Sequence, residues 1–230
     1  MIEGLIFDKD GTLFDFQSSW GSWFARLLSA LAGPDDDVLN TMAQRMDFDL
    51  AAERFNPGSI FIAGTSDDLI AEIIDLLPDH SPQTLRQHMR GLVGEPVQVP
   101  AIPLAPYLTG LRAQGFKLGV ATNDGEQSAR AQLQTAGVID HFHAIAGFDS
   151  GFGAKPAPGM LLGVAAQMGL PASATAMVGD STHDMHSAKS AGMLRIAVLT
   201  GAASREDLSP HADVVLNHIG EIPEYLSKTT

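Results

Sequence analysis

Two carboxylates, Asp8 and Asp10, stand directly after the short apolar run of residues 4–7. Such a run followed by polar residues is typical of a buried strand and its turn. Because open α/β sheets bind ligands at the carboxyl ends of their strands, two neighbouring carboxylates there indicate a site for a cation or a proton. Gly11, the next residue, would let backbone amides approach an anion. The alternative is an ordinary turn, since Asp-Gly is a common turn pair.

A second pair of carboxylates, Asp180 and Asp184, follows the apolar run of residues 176–178. The spacing predicts that Asp180 lies in a loop and Asp184 on the first turn of the next helix. Taken alone, the pair is also typical of a helix N-terminus, where a negative charge is stabilised by about 0.3–1 kcal/mol. Taken with Asp8 and Asp10, four carboxylates at two strand ends are the oxygen ligands that a hard cation requires, and Mg²⁺ fits best.

Two further segments carry polar groups that could contact an anion. Thr122 and Asn123 end another apolar run. Their hydroxyl and amide could bind phosphate oxygens, but Thr-Asn-Asp-Gly is equally a turn signal. Lys155 lies between a glycine-rich stretch and Pro156, so its ammonium is either a positioned charge or a solvated one. The residues alone leave these alternatives open.

Short apolar runs alternate with helical patterns over most of the chain, which predicts a parallel sheet with helices on both faces. The predicted strands are residues 4–7, 118–122, 176–178, 196–199 and 212–216. Residues 16–96 break the alternation, with several helix-like segments and almost no strand signal. We therefore predict an α/β protein: a Rossmann-like core of residues 1–15 and 97–230 with an inserted α-helical cap of residues 16–96.

Composition narrows the classes of function. The chain has 230 residues, of which 45% are hydrophobic and 18% charged, no cysteine, and a formal net charge of −13. An acidic surface disfavours nucleic acid and anionic membranes as partners. The absence of cysteine excludes thiolate metal sites and disulfides. No apolar run approaches the roughly 20 residues of a membrane helix, so we expect a cytoplasmic location.

In their order along the chain, these motifs resemble those of the haloacid dehalogenase-like hydrolases, in the phosphoglycolate phosphatase-like branch with a helical cap. The four matching motifs are residues 8–15, Thr122-Asn123, Lys155-Pro156 and residues 179–184. The resemblance covers the α/β core at both ends of the chain. It implies a phosphoric monoester hydrolase that acts on a small phosphorylated metabolite.

The resemblance also implies roles for the carboxylates. Asp8 would attack phosphorus and form an aspartyl-phosphate, which divides the hydrolysis into two displacements. Asp10 would protonate the leaving alkoxide and then deprotonate water. Mg²⁺ would be held by the Asp8 carboxylate, the Asp10 carbonyl and Asp180, with Asp184 behind them or binding through water.

The remaining motif residues would bind the phosphoryl group. Thr122, Asn123 and backbone amides near Gly11 would hold its oxygens, and Lys155 would stabilise charge beside the nucleophile. Two alternatives stay open: a sugar-phosphate mutase on the same scaffold, and a non-catalytic binding module, because a fold alone does not prove activity. A monomer or a homodimer is expected.

Overall fold

The computed structural model describes residues 1–56, 59–63, 66–92 and 96–229. Two compact units make up the chain, Met1–Phe16 with Gln98–Thr230, here called the core unit, and Gln17–Val97, here called the helical unit. The helices and strands, in chain order, are β1 (Gly4–Phe7), α1 (Phe16–Ala32), α2 (Asp36–Arg45), β2 (Phe48–Asp49), β3 (Arg54–Phe55), α3 (Ile60–Ala63), α4 (Ser66–Ile73), α5 (Pro82–Leu92), α6 (Leu104–Ala113), β4 (Lys117–Ala121), α7 (Glu126–Thr135), β5 (Ala144–Ala146), α8 (Gly159–Gln167), β6 (Thr175–Gly179), α9 (Thr182–Ala191), β7 (Leu194–Val198), α10 (Arg205–Leu208), β8 (Val214–Leu216) and α11 (Ile222–Thr229).

The core unit is built on a parallel sheet with the strand order β5-β4-β1-β6-β7-β8. Both faces of the sheet are buried, because alternate side chains of β1 enter different apolar clusters. Leu5 and Phe7 join one cluster and Ile6 joins the other. The predicted α/β class with a Rossmann-like parallel sheet is confirmed. Since β1 lies between β4 and β6, the polar residues that follow these three strands share one edge of the sheet.

The edge strand β5 has no counterpart among the strands predicted from the sequence. It is three residues long, Ala-Ile-Ala, and pairs with β4 through Ala144, Ile145 and Ala146. A segment of two alanines and one isoleucine is too short and too weakly apolar to show the two-residue period of a strand. Their burial comes from tertiary packing.

The helical unit has an aromatic core of its own. Phe24 is 1% exposed, and its ring centroid lies 5.0 Å from those of Phe48 and Phe55 and 4.8 Å from that of Phe61. Phe48 and Phe55 also face each other across the two-residue strands β2 and β3, an antiparallel pair that the sequence does not indicate. A two-residue strand has no period to detect. Among the described residues, no helix has the length and apolar character needed to span a membrane.

Candidate active site

The carboxylate of Asp8 lies at the carboxyl end of the central strand. The Asp8 amide donates to the carbonyl of Val178 at 2.8 Å, which extends the pairing of β1 with β6 by one bond. Oδ1 of Asp8 is 2.9 Å from Nζ of Lys155. Burial raises the pKa of Asp8 to about 6; the Lys155 ammonium opposes this rise and Asp184 adds to it. The Lys155 ammonium is therefore a group that favours the ionised form of this carboxylate.

Two more carboxylates reach the same place from the end of β6. One oxygen from each of Asp8, Asp180 and Asp184 lies within 4.8 Å of the others. Burial raises the pKa of Asp180 well above its usual value, and the charges of Asp8 and Asp184 add to the rise. Thr12 Oγ1 donates to Asp180 Oδ1 at 3.2 Å. The structure therefore brings three of the four predicted carboxylates together.

Helix α9 fixes the position of Asp184. Ser181 is its N-cap, and Asp184 completes a capping box by accepting the Ser181 amide at 3.1 Å and the Ser181 hydroxyl at 2.6 Å, both on Oδ2. Its other oxygen, Oδ1, accepts Nζ of Lys155 at 2.6 Å. With both oxygens bonded, Asp184 fits a supporting position behind Asp180.

This cluster fits a divalent cation with oxygen ligands. The described residues supply it with three carboxylates and one ammonium, that of Lys155, which leaves excess negative charge. Donors that are all carboxylate oxygens suit a hard cation such as Mg²⁺. The carboxylate of Asp10 is not one of these three, and its Oδ2 accepts Nζ of Lys9 at 2.5 Å. Only the backbone carbonyl of Asp10 enters the predicted ligand set.

The ammonium of Lys155 is buried between two carboxylates. Burial by itself would lower the pKa of Lys155, but the charges of Asp184 and Asp8 outweigh it and raise the pKa above its usual value. Asn123 fixes the Lys155 backbone: its Nδ2 donates to the Lys155 carbonyl at 3.0 Å and its Oδ1 accepts the Lys155 amide at 2.9 Å. The amide of Asn123 therefore positions the lysine loop. Its predicted contact with phosphate stays a prediction.

Thr122 and Gly11 lie at the same sheet edge. The buried Oγ1 of Thr122 accepts the amide of Asp124 at 3.1 Å, so its own proton can still be donated. Gly11 has φ +76°, and a Cβ there would come 2.3 Å from Oδ2 of Asp180. Glycine is required at this position for both reasons.

Sequence reasoning did not identify Thr200 and Gly201. The Thr200 hydroxyl donates to the carbonyl of Gly11 at 2.7 Å, and a Cβ on Gly201 would lie 1.8 Å from Oδ2 of Asp180. Both residues follow residues 196–199, an apolar run that the sequence predicts to be a strand. Their position after a strand could have indicated a place in the site, although neither has a charged side chain.

We expect Gly201→Ala to weaken metal binding by about tenfold or more, because the new methyl group must displace the Asp180 carboxylate from its place beside Asp8. Titration with Mg²⁺ measures the effect. Gly110→Ala is the matched control, since a Cβ at Gly110 in α6 meets no atom within 4 Å. Equal Mg²⁺ affinities for Gly201→Ala and the wild type would show that Asp180 is not a ligand.

A family profile described as haloacid dehalogenase-like hydrolase matches residues 2–192. The chain belongs to this family. It is 32% identical over 219 residues to a protein of Dickeya dadantii described as a probable phosphatase, IndB, with 95% of this chain and 90% of that protein covered. It is 30% identical over 213 residues to a phosphoglycolate phosphatase of Rhodospirillum rubrum, with 91% and 84% covered.

A solved structure shares the fold. A structure from Thermotoga maritima, described as a candidate β-phosphoglucomutase, superimposes with a TM-score of 0.75 at 18% identity, and each chain is covered completely. At that identity the likeness concerns the fold alone. Together, the sequence comparisons confirm the predicted family, its phosphoglycolate phosphatase-like branch and the predicted enzyme class, a phosphoric monoester hydrolase.

Proposed function

We propose that this haloacid dehalogenase-like hydrolase is an Mg²⁺-dependent phosphatase that cleaves a small phosphomonoester through an aspartyl-phosphate on Asp8. The observation that carries the proposal is the position of the Asp8 carboxylate, 2.9 Å from the buried ammonium of Lys155 and within 4.8 Å of the carboxylate oxygens of Asp180 and Asp184. A nucleophile at a sheet edge, next to a fixed cation, suits attack on an anionic phosphoryl group.

In the first step, an oxygen of Asp8 forms a bond to phosphorus as the bond from phosphorus to the leaving oxygen breaks. Asp10 gives its proton to that oxygen. In the second step, water attacks phosphorus, its proton passes to Asp10, and the bond between Asp8 and phosphorus breaks. Lys155 stabilises the negative charge beside Asp8 in both steps, and Thr122 donates its hydroxyl proton to a phosphoryl oxygen.

Mg²⁺ would be held by the Asp8 carboxylate, the Asp10 carbonyl and Asp180, with Asp184 supporting them. When bound, the metal would offset the repulsion between these carboxylates and the phosphoryl group. The chain's own residues prepare this place, because Gly11 leaves room for the Asp180 carboxylate and Thr12 donates to it.

Relatives named phosphoglycolate phosphatases support a small carboxylated phosphomonoester as the first substrate to try. The core unit would carry the chemistry, and the helical unit would act as the inserted cap of residues 16–96. We propose a cytoplasmic enzyme, a monomer or a homodimer, whose partner is this small phosphorylated metabolite.

Removing the metal is expected to remove more than about 99% of phosphatase activity, because the clustered carboxylates then repel the phosphoryl group without compensation. Release of inorganic phosphate from phosphoglycolate and from an aryl phosphate is measured with Mg²⁺, with EDTA, and with EDTA followed by excess Mg²⁺. We expect activity only where free Mg²⁺ is present. Full activity in EDTA would contradict the metal dependence.

Product analysis with a sugar phosphate as substrate separates the remaining alternatives. A sugar-phosphate mutase would interconvert sugar phosphates without net release of phosphate. A non-catalytic module would do neither under any condition.

A further inference from the structure

Lys9 is a buried charge that stands between Asp8 and Asp10 in the sequence. Its side chain is 0% exposed although lysine is among the residues least often buried. A buried ammonium needs a partner for each of its protons. Lys9 donates hydrogen bonds to Oδ2 of Asp10 at 2.5 Å and to Oε1 of Gln132, and it forms an ion pair with Oδ2 of Asp124 at 3.6 Å. This side chain has no role in the phosphatase mechanism proposed above.

Helix α7 holds two of these partners in place. Ser128 Oγ donates to Oδ2 of Asp124 at 3.0 Å and accepts Nε2 of Gln132 at 3.4 Å, so the three polar residues form one network along α7 and the turn before it. The other oxygen of Asp124, Oδ1, accepts the Gly125 amide at 2.8 Å just before the helix begins. The ammonium of Lys9 is thereby fixed relative to a helix of the core unit.

The two oxygens of Asp10 differ in their environments. Oδ2 accepts the Lys9 ammonium, whereas Oδ1 is buried and has no hydrogen-bond partner among the described residues. A buried carboxylate oxygen without a partner is unfavourable in a purely structural role. One oxygen of Asp10 is therefore held, and the other is free to exchange a proton.

We propose that Lys9 is a positioning residue for Asp10. Its ammonium, braced by Asp124 and Gln132, holds Oδ2 of Asp10 so that Oδ1 carries the proton that passes to the leaving oxygen. Oδ1 then takes a proton from the attacking water. Lys9 does not contact the reacting atoms. This inference rests on the proposed phosphatase mechanism, in which Asp10 is the acid and the base.

The leaving group provides a selective test. An aryl phosphate with a good leaving group needs little proton donation in the first step, whereas an alkyl ester such as phosphoglycolate needs it fully. Water attack needs the base whatever the first leaving group was. We therefore expect Lys9→Met to release about one equivalent of aryl alcohol per site at the wild-type rate, followed by turnover about 100-fold slower. With phosphoglycolate, the same variant should show no burst and a loss of at least that size.

Rapid-quench and stopped-flow measurements on the full chain with Mg²⁺ follow both esters. Lys117→Met is the matched control. Lys117 begins β4, and its Nζ donates a hydrogen bond to the Met168 carbonyl and contacts none of the residues in the network. In case Lys9→Met folds poorly, Gln132→Leu removes one brace of Lys9 while Asp10 stays intact. We expect the same pattern in Gln132→Leu, with about a five- to tenfold slower second step.

The outcomes separate the two proposals. Equal rate losses for both esters without a burst, in a folded Lys9→Met or Gln132→Leu protein, would overturn the positioning role in favour of a structural one. Wild-type rates in both variants would also overturn it. Failure of the wild type to hydrolyse either ester would instead overturn the phosphatase proposal. So would full activity in a variant that lacks the Asp8 carboxylate.

Discussion

Replacing Asp8 with asparagine is expected to lower phosphatase turnover by about 10⁴-fold or more, because the amide cannot form the bond to phosphorus on which both steps depend. The substitution keeps the size of the side chain, and the amide oxygen can still accept the Lys155 ammonium that lies 2.9 Å from Oδ1. The fold should therefore remain. The loss should appear in turnover at saturating substrate and Mg²⁺.

The comparison uses phosphoglycolate and an aryl phosphate, with trapping of labelled phosphate on the protein as a second readout. Wild type quenched in acid should carry label, and Asp8→Asn should carry none. Asp140→Asn, which changes an exposed carboxylate in the core unit away from the site, should behave like the wild type. Labelled Asp8→Asn protein would place the nucleophile on another residue.

Lys155→Met is expected to lower turnover by about 10²–10³-fold, the size of effect seen when a fixed group that stabilises developing charge is lost. The methionine is similar in length but has no charge, so Asp8 and Asp184 lose the cation they share at 2.9 and 2.6 Å. Arginine is not a conservative replacement, because its planar fork differs from a compact ammonium.

The same substitution should also destabilise the fold, since breaking a buried ion pair from one side costs about 3–5 kcal/mol. The proposed Mg²⁺ would neutralise the carboxylates that lose this cation, so the loss of thermal stability relative to the wild type should be smaller in Mg²⁺ than in EDTA. Lys189→Met, at an exposed position on α9, is the control. Wild-type turnover in Lys155→Met would show that this ammonium has no part in catalysis.

Much of the core could be predicted because its signals are local. A buried strand is a short apolar run, and the polar residue that follows it marks the carboxyl end of the strand, so Asp8 and Asp180 can be recognised from the sequence. The strands that the sequence does not predict are β5, with three small or apolar residues, and the pair β2 and β3, with two residues each. Whether such short segments form strands depends on the segments with which they pair.

The helical unit shows the same limit. Aromatic residues at helical spacing in α1 indicate a packed face, and Phe24 is indeed buried. Its ring packs against Phe48, Phe55 and Phe61. These contacts could not be predicted, because the three rings belong to other elements and the hydrophobic period of α1 does not show where those elements lie.

The sequence by itself determined the family, the α/β class and the chemical types of the candidate site residues, because motifs and apolar periods are properties of neighbouring residues. Tertiary structure alone decided which groups meet. Lys155 and Asp184 are 29 positions apart, and Lys9 and Gln132 are 123 apart. Contacts over such separations depend on strand order and on burial. In the sequence Lys9 is an ordinary charged residue between two aspartates, and only the tertiary structure shows that it is buried and paired with Asp10.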